Sequence, residues 1–384
     1  MSNAVSTAAT APAAPPPLLS LCMIVRNERE HLARCLASVR GLVDDIVVVD
    51  TGSTDGTQEV ARTHGARLVQ ATWENDFSRA RNLSLAAGRG RWILILDADE
   101  FLPESEHAAL RALLHAHTPA TGAPHRAFCL IQKNTSDGGR TGMLVNIIRL
   151  FPNRPDVRFA WPVHEQVATS LARAGIPIED TGIAFLHTGY SDPSRNRAKQ
   201  QRNRDILAAQ IASGRDLAPL THFLLAGCHL DLGDASTALV SYREAHRLAL
   251  ASGDRDMIAG AAVRIASCLV KLERFADVAA PVDDSATPHP EMLNLRAVAE
   301  EKLGRPETAV ALRERVLGCA HRAFIPPCNV AHEKIAALQA LGAHWFQRGR
   351  KARAVALLRA AVTLQNEARD FGPAELAQCY RENP

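Results

Sequence analysis

The run Trp92-Ile93-Leu94-Ile95-Leu96 leads straight into Asp97-Ala98-Asp99-Glu100. Bulky apolar residues without alternation suit a strand buried on both faces, as in a parallel sheet flanked by helices. The acids that follow cannot share that core, because burying unpaired carboxylates is costly. In an open α/β sheet the carboxyl end of a strand opens on the ligand crevice. If the chain stays extended there, Asp97 and Asp99 point the same way. Two carboxylates on one side of a crevice suit a hard divalent cation holding a diphosphate. A lone DxD is also what a solvated strand-to-turn junction looks like, so the flanking sequence decides between the two.

Upstream, strand and helix alternate from Leu18. The pattern predicts strands at Leu19–Val25, Ile46–Val49 and Arg67–Val69, and helices at Glu28–Val39, Gln58–His64 and Phe77–Ala87. Such alternation implies βαβ units and a mostly parallel sheet. Beyond Pro103 the pattern loosens: a helix at Glu104–His115, strands near Phe128–Gln132 and Val145–Phe151 with Gly138, Gly139 and Gly142 between them, and a strand at Ile183–His187. After about Arg195 only helical spacing remains, rich in Ala and Leu. Gly233 is followed by Ala238, Gly304 by Ala309 and Gly349 by Ala354, each after an apolar helical stretch. This layout resembles tetratricopeptide repeats; a plain helical bundle is the alternative. The expected organisation is a disordered Ala/Pro-rich leader over 1–17, an α/β domain over 18–194 and a helical-repeat domain over 195–384.

A chain of 384 residues that is 47% hydrophobic has ample core for this. Its 44 basic and 41 acidic residues nearly cancel, and aromatics are only 5%, so nothing favours nucleic acid as a partner. The eight cysteines form no CxxC, and several sit in apolar stretches, which suits a reducing, cytoplasmic setting. No apolar run reaches the length of a membrane span.

The first strand ends in Arg26-Asn27-Glu28 and the second in Asp50-Thr51-Gly52-Ser53, both on the crevice side of a parallel sheet. Asp50 suits the imide and hydroxyl groups of a nucleoside, and Gly52 suits a tight turn. Arg81 and Asn82 fall on a helix running back beneath the same edge. Neither GxGxxG nor GxxxxGK[ST] occurs, which excludes a dinucleotide fingerprint and a P-loop. The motifs CMIVRNE, VVVDTGSTDGT, DFSRARN and LILDADE, in this order, together resemble family-2 glycosyltransferases of the GT-A fold. With the VHE and His187-Thr188-Gly189-Tyr190 stretches, the chain is similar to bacterial members that carry tetratricopeptide repeats after the transferase domain. That group includes the S-glycosyltransferase acting on the bacteriocin sublancin.

The resemblance implies an α/β GT-A domain followed by an all-α repeat domain, and an inverting hexosyl transfer from a nucleotide-sugar, a UDP-sugar in such families. It assigns Asp50 and Arg81 to the base, Asp97 to ribose or metal, and Asp99 to Mn²⁺ or Mg²⁺ on the diphosphate. Arg26, Asn27, Glu28, Gly52, Ser53 and Asn82 complete the nucleotide-sugar set. Inversion needs a base within hydrogen-bond reach of the attacking group. The ED pair usual in the family is absent, so Glu165, with His164 beside it, takes that place; a helix-start carboxylate is the other reading of Glu165. His187 is expected as a further metal ligand or as a structural strand end. Lys199, with Arg202 and Asn203, either grips the diphosphate or forms a solvated helix face, and Trp73 either stacks on a sugar or fills core. The repeats favour a peptide or protein acceptor over a saccharide, and offer a surface for a homo-oligomer. A thiol acceptor would ask less of the base. Rival readings are an inactive nucleotide-sugar-binding scaffold, a lipopolysaccharide or lipid-linked saccharide glycosyltransferase, and a nucleotidyltransferase; the last lacks its Gly-rich basic first loop.

Overall fold

A computed structural model describes residues 16–135, 141–188, 193–214, 218–279, 289–320 and 329–370. Most of the expected leader, the glycines at 138 and 139, and Gly189 with Tyr190 lie outside the described residues. The chain divides into two compact units between residues 191 and 192. The break expected between 194 and 195 would fall in the first turn of a helix at Pro193–Ala212.

In the first unit β1 (Leu19–Val25), β2 (Asp45–Asp50), β3 (Arg67–Gln70) and β4 (Trp92–Ile95) alternate with α1 (Arg29–Ser38), α2 (Thr57–Thr63) and α3 (Phe77–Ala87). There follow β5 (Glu100–Phe101), a 3₁₀ turn at Glu104–Glu106, α4 (His107–His117), β6 (Ala127–Thr135), β7 (Thr141–Pro152), α5 (Ala168–Arg173) and β8 (Ile178–His187). The eight strands form one sheet in the order β3-β2-β1-β4-β7-β6-β8-β5. Strands β1 to β4 pair in parallel and β6 pairs in parallel with β8, so four of the seven pairings are parallel, as expected; β7, however, lies antiparallel between β4 and β6, and β5 pairs antiparallel with β8. The β6–β7 hairpin pairs within itself, and a hairpin can only join a sheet with one strand reversed.

Strand alternation divides the core. Leu19, Leu21 and Met23 of β1 face Leu32, Cys35 and Leu36 of α1 and Leu110 and Leu114 of α4. Cys22 faces the other way, toward Leu85 of α3 and Leu171 of α5. Leu32 and Leu36 are buried, and each contributes about 2 kcal/mol on this face. Close approach of β1 to the residues before β4 requires Gly90, where an added Cβ would stand 2.5 Å from the Ser20 nitrogen.

The second unit is all helix: α6 (Pro193–Ala212), α7 (Pro219–Asp231), α8 (Ala235–Ser252), α9 (Arg255–Lys271), α10 (Phe275–Ala279), α11 (Pro290–Lys302), α12 (Pro306–Leu317), α13 (Val330–Gln347) and α14 (Lys351–Asp370). The turns of α7–α8, α9–α10, α11–α12 and α13–α14 share one geometry. A left-handed residue (Gly233, Glu273, Gly304 or Gly349) precedes an N–H that bonds a carbonyl five residues back, at 2.8–2.9 Å, as in a Schellman motif. The buried Ala238, Ala309 and Ala354 follow three of these turns, and buried Val278 follows the fourth. The sequence reveals three repeats because Glu273 stands where the others have glycine. Among the described residues no helix is long and apolar enough to cross a membrane.

Candidate active site

The carboxyl ends of β1, β2 and β4 open on one edge, as parallel pairing requires. Two loops there are stitched together: the Asn27 N–H donates to Ser53 Oγ (2.9 Å), Asn27 Oδ1 accepts from the Thr54 N–H (2.8 Å), and the Glu28 N–H donates to Thr57 Oγ1 (2.8 Å). Asn27 holds φ +56° to do this. Arg26 is exposed at the start of the same loop.

Asp50 ends β2 as a buried carboxylate. Its Oδ1 accepts from the N–H groups of Gly52 and Ser53, both at 2.8 Å, and Gly52 takes φ +106° in that turn. Burial works against the charge, but the hydrogen bonds from Ser53 and Gly52 hold the carboxyl below its ordinary range. Its Oδ2 is buried with no hydrogen-bond partner among the described residues. An orphaned buried acceptor is rare and awaits a donor.

The chain does not stay extended past β4, and this corrects the expected shared side of Asp97 and Asp99. The Glu100 N–H returns to the Asp97 carbonyl (3.0 Å), and Glu100 Oε2 accepts from the Asp97 N–H (2.8 Å). Asp97 is turned toward two guanidiniums: Arg81 Nη2 donates to Oδ1 at 2.5 Å and Arg149 Nη2 to Oδ2 at 3.3 Å. The Asp97 side chain keeps 37% of its surface open, whereas that of Arg81 is 6% exposed. Despite the desolvation, the two cations hold Asp97 well below the carboxylate range, and Asp97 and Glu165 raise Arg81. Both Asp97 oxygens thus accept from guanidiniums, and the carboxylate fixes Arg81 in place while part of its surface stays open.

Asp99 goes elsewhere. Its Oδ2 stands 3.3 Å from His187 Nε2, at the point where β5 and β8 pair Glu100 with His187. His187 Nδ1 lies 2.9 Å from Asn134 Oδ1. An imidazole nitrogen and a carboxylate oxygen this close either pair with each other or offer two donor atoms to one cation. One carboxylate and one imidazole, with phosphate oxygens and waters completing the sphere, suit Mn²⁺ or Mg²⁺. Of the expected Asp97, Asp99 and His187, the last two approach each other directly. Among the described residues no three His, Cys, Asp or Glu side chains group as a metal centre.

Glu165 is brought to this network: its Oε1 accepts from Arg81 Nε at 3.0 Å. It rides on a loop closed by the Ala160–Gln166 bridge. In that loop Trp161 and His164 take φ +72° and +55°, strain of a kind that clusters at functional sites. His164 itself points to the exposed side. Asn82, expected in the nucleotide set, bonds the Phe159 backbone. Its Nδ2 donates to the Phe159 carbonyl (3.0 Å) and its Oδ1 accepts from the Phe159 N–H (2.9 Å), so it fastens the Glu165 loop to α3. Trp73 packs edge-on against Phe77 with centroids 4.7 Å apart, and lines a cavity of ≈ 300 Å³ with Thr72, Glu74, Arg79 and Leu83. Lys199 lies exposed on α6 and belongs to the second unit.

Sequence reasoning missed Arg149 and the role of Glu100. Arg149 Nη2 donates to Glu100 Oε1 at 2.5 Å, and Gln132 Nε2 donates to the same oxygen at 3.3 Å. Burial raises the Glu100 carboxyl, with Asp97 and Asp99 adding to that and Arg149 opposing it. The available signal was a lone Arg inside the apolar run Ile147-Ile148-Arg149-Leu150-Phe151, since charged residues are almost never fully buried unless paired.

Comparison with known proteins agrees with this geometry. A protein of Synechococcus elongatus described as a TPR repeat-containing protein is 38% identical over 227 residues, covering 57% of this chain and 54% of its own length. The SPbeta prophage-derived glycosyltransferase SunS of Bacillus subtilis is 26% identical over 197 residues, covering 50% of this chain and 44% of its own. The chain thus spans about half the length of these curated relatives. A crystal structure of S. aureus TarS residues 1–349 with UDP-GlcNAc aligns with 79% of this chain and 93% of its own, at 14% identity and a TM-score of 0.37. That likeness is too slight to bear on chemistry. Residues 20–154 match the family described as Glycosyl transferase family 2, and this is the region whose strand ends carry the crevice, its carboxylates and Arg81.

Proposed function

We propose that the protein is an inverting glycosyltransferase that moves a sugar from a UDP-sugar to a peptide or protein side chain, with Mn²⁺ or Mg²⁺ at Asp99 and His187. The 3.3 Å approach of Asp99 Oδ2 to His187 Nε2 at the carboxyl edge of the sheet carries this reading. A divalent ion bound there would neutralise the leaving diphosphate and orient it. The unfilled Oδ2 of Asp50 suits the imide N–H of uracil. Glu165 takes the proton of the acceptor as that group bonds to the anomeric carbon and the sugar–diphosphate bond breaks on the opposite face. Arg81 holds Glu165 toward the same edge as Asp97. Helical hairpins suit an extended polypeptide acceptor, and the buried thiols of Cys22, Cys35, Cys228 and Cys268 suit a reducing compartment such as the cytoplasm.

The test is thermal stabilisation by UDP with and without Mn²⁺, in the wild type and in Asp99→Ala. At ligand about 100-fold above Kd, binding contributes about 2.7 kcal/mol, a rise of about 5–10 °C in melting temperature. The Mn²⁺-dependent part of that rise disappears in Asp99→Ala. Absence of any Mn²⁺-assisted stabilisation in the wild type rejects the proposal.

A further inference from the structure

We propose that Arg149 is a positioning residue that holds the Asp97–Glu100 turn so that Asp99 is aimed at the cation site, and that links this turn through Asp97 to Glu165. The inference rests on the metal-assisted reading of the site given above. Five charges alternate in one chain: Glu165 to Arg81 (3.0 Å), Arg81 to Asp97 (2.5 Å), Asp97 to Arg149 (3.3 Å) and Arg149 to Glu100 (2.5 Å). The last acid closes on the turn itself, because Glu100 Oε2 accepts from the Asp97 N–H at 2.8 Å. Arg149 therefore grips both ends of the four-residue segment that carries Asp99. It reaches them from β7, the strand inserted beside β4, and its guanidinium lies over the Phe185 ring at 5.2 Å.

A packing role alone does not account for this residue. Arg149 Nε is buried without a hydrogen-bond partner among the described residues. An unfilled buried donor is a standing cost that an apolar side chain of similar volume would avoid. What the guanidinium supplies, and an apolar chain does not, is one nitrogen bonding two carboxylates at once. Lysine also offers one nitrogen, but on a shorter, flexible stem that lacks the flat guanidinium lying over Phe185.

The experiment uses the full chain as Arg149→Lys and as the double variant Glu100→Gln with Arg149→Gln. The double change keeps the buried pair neutral and still offers an acceptor to the Asp97 N–H, so it guards against a fold lost to a stranded carboxylate. Calorimetry measures UDP affinity with and without Mn²⁺, and the ratio of the two is the readout. The ratio falls about ten-fold in both variants, as for other residues that orient metal ligands, while affinity for UDP alone stays near wild type. A wild-type ratio in either folded variant overturns the inference. So does an equal loss of affinity with and without Mn²⁺, or loss of the fold in both variants, since each makes Arg149 a residue of stability. A wild-type protein that binds UDP no better with Mn²⁺ instead overturns the metal-assisted reading itself.

Discussion

Replacing Asn82 with alanine separates two roles for that side chain. The amide makes two hydrogen bonds to the backbone of Phe159, at 3.0 and 2.9 Å, across 77 residues of sequence. Each is partly buried and contributes about 1 kcal/mol net, so their joint loss costs about 2 kcal/mol. For a unit of this size that lowers the melting temperature by about 4–8 °C. Ties left on the Glu165 loop include the Arg81–Glu165 pair, the Ala160–Gln166 bridge and the bond from the Phe77 N–H to the Pro162 carbonyl. Loosening therefore reaches Glu165, and turnover falls more than donor affinity does. Denaturation gives the stability term, and amide exchange at Phe159 reports the loop directly. An unchanged melting temperature and unchanged Phe159 protection, with UDP affinity lost instead, would refute the argument and return Asn82 to the nucleotide.

Asp50→Asn keeps the Oδ1 acceptor for Gly52 and Ser53 but sets an NH₂ where the free Oδ2 stands; uridine nucleotide affinity should drop about ten-fold or more by titration calorimetry with little change in melting. Gly90→Ala places a Cβ 2.5 Å from the Ser20 nitrogen and 2.8 Å from the Leu19 carbonyl carbon, and a denaturant titration should show a loss of about 3 kcal/mol. Asp45 accepts from Ser20, Arg67 and the Arg89 N–H; burial opposes its charge, but these bonds leave it below the ordinary carboxylate range. A carboxyl depressed in the folded state stabilises above its unfolded pKa and loses that contribution as pH falls, so Asp45→Asn should flatten the decline in stability below about pH 4. A decline as steep in the variant as in the wild type would show that Asp45 carries none of it.

The first half of the sheet was legible because its strands are continuous apolar runs and its helices have regular spacing. The bounds expected for Leu19–Val25 and Phe77–Ala87 coincide with β1 and α3. The second half was not, because period-two patterns do not say which neighbour a strand pairs with; the antiparallel placement of β7 and the jump of β5 to β8 are tertiary facts. The chemistry of Asp99 and His187 could be named in advance, but their meeting depends on that jump. The different directions of Asp97 and Asp99 were hidden for a related reason: alternation holds only in extended chain, and Glu100 bends it into a turn by accepting the Asp97 N–H. Arg149 and Arg81 lie 68 positions apart, and no spacing rule connects them.

In the helical half, the packed pairs are overwhelmingly helices adjacent or next-but-one in sequence. An array of that kind can gain or lose a hairpin without disturbing the rest, since each module answers only to its immediate neighbours. Such a half can change in length like links added to a chain, whereas the sheet of the first unit, whose strands interlock out of order, has no equivalent unit to add or remove.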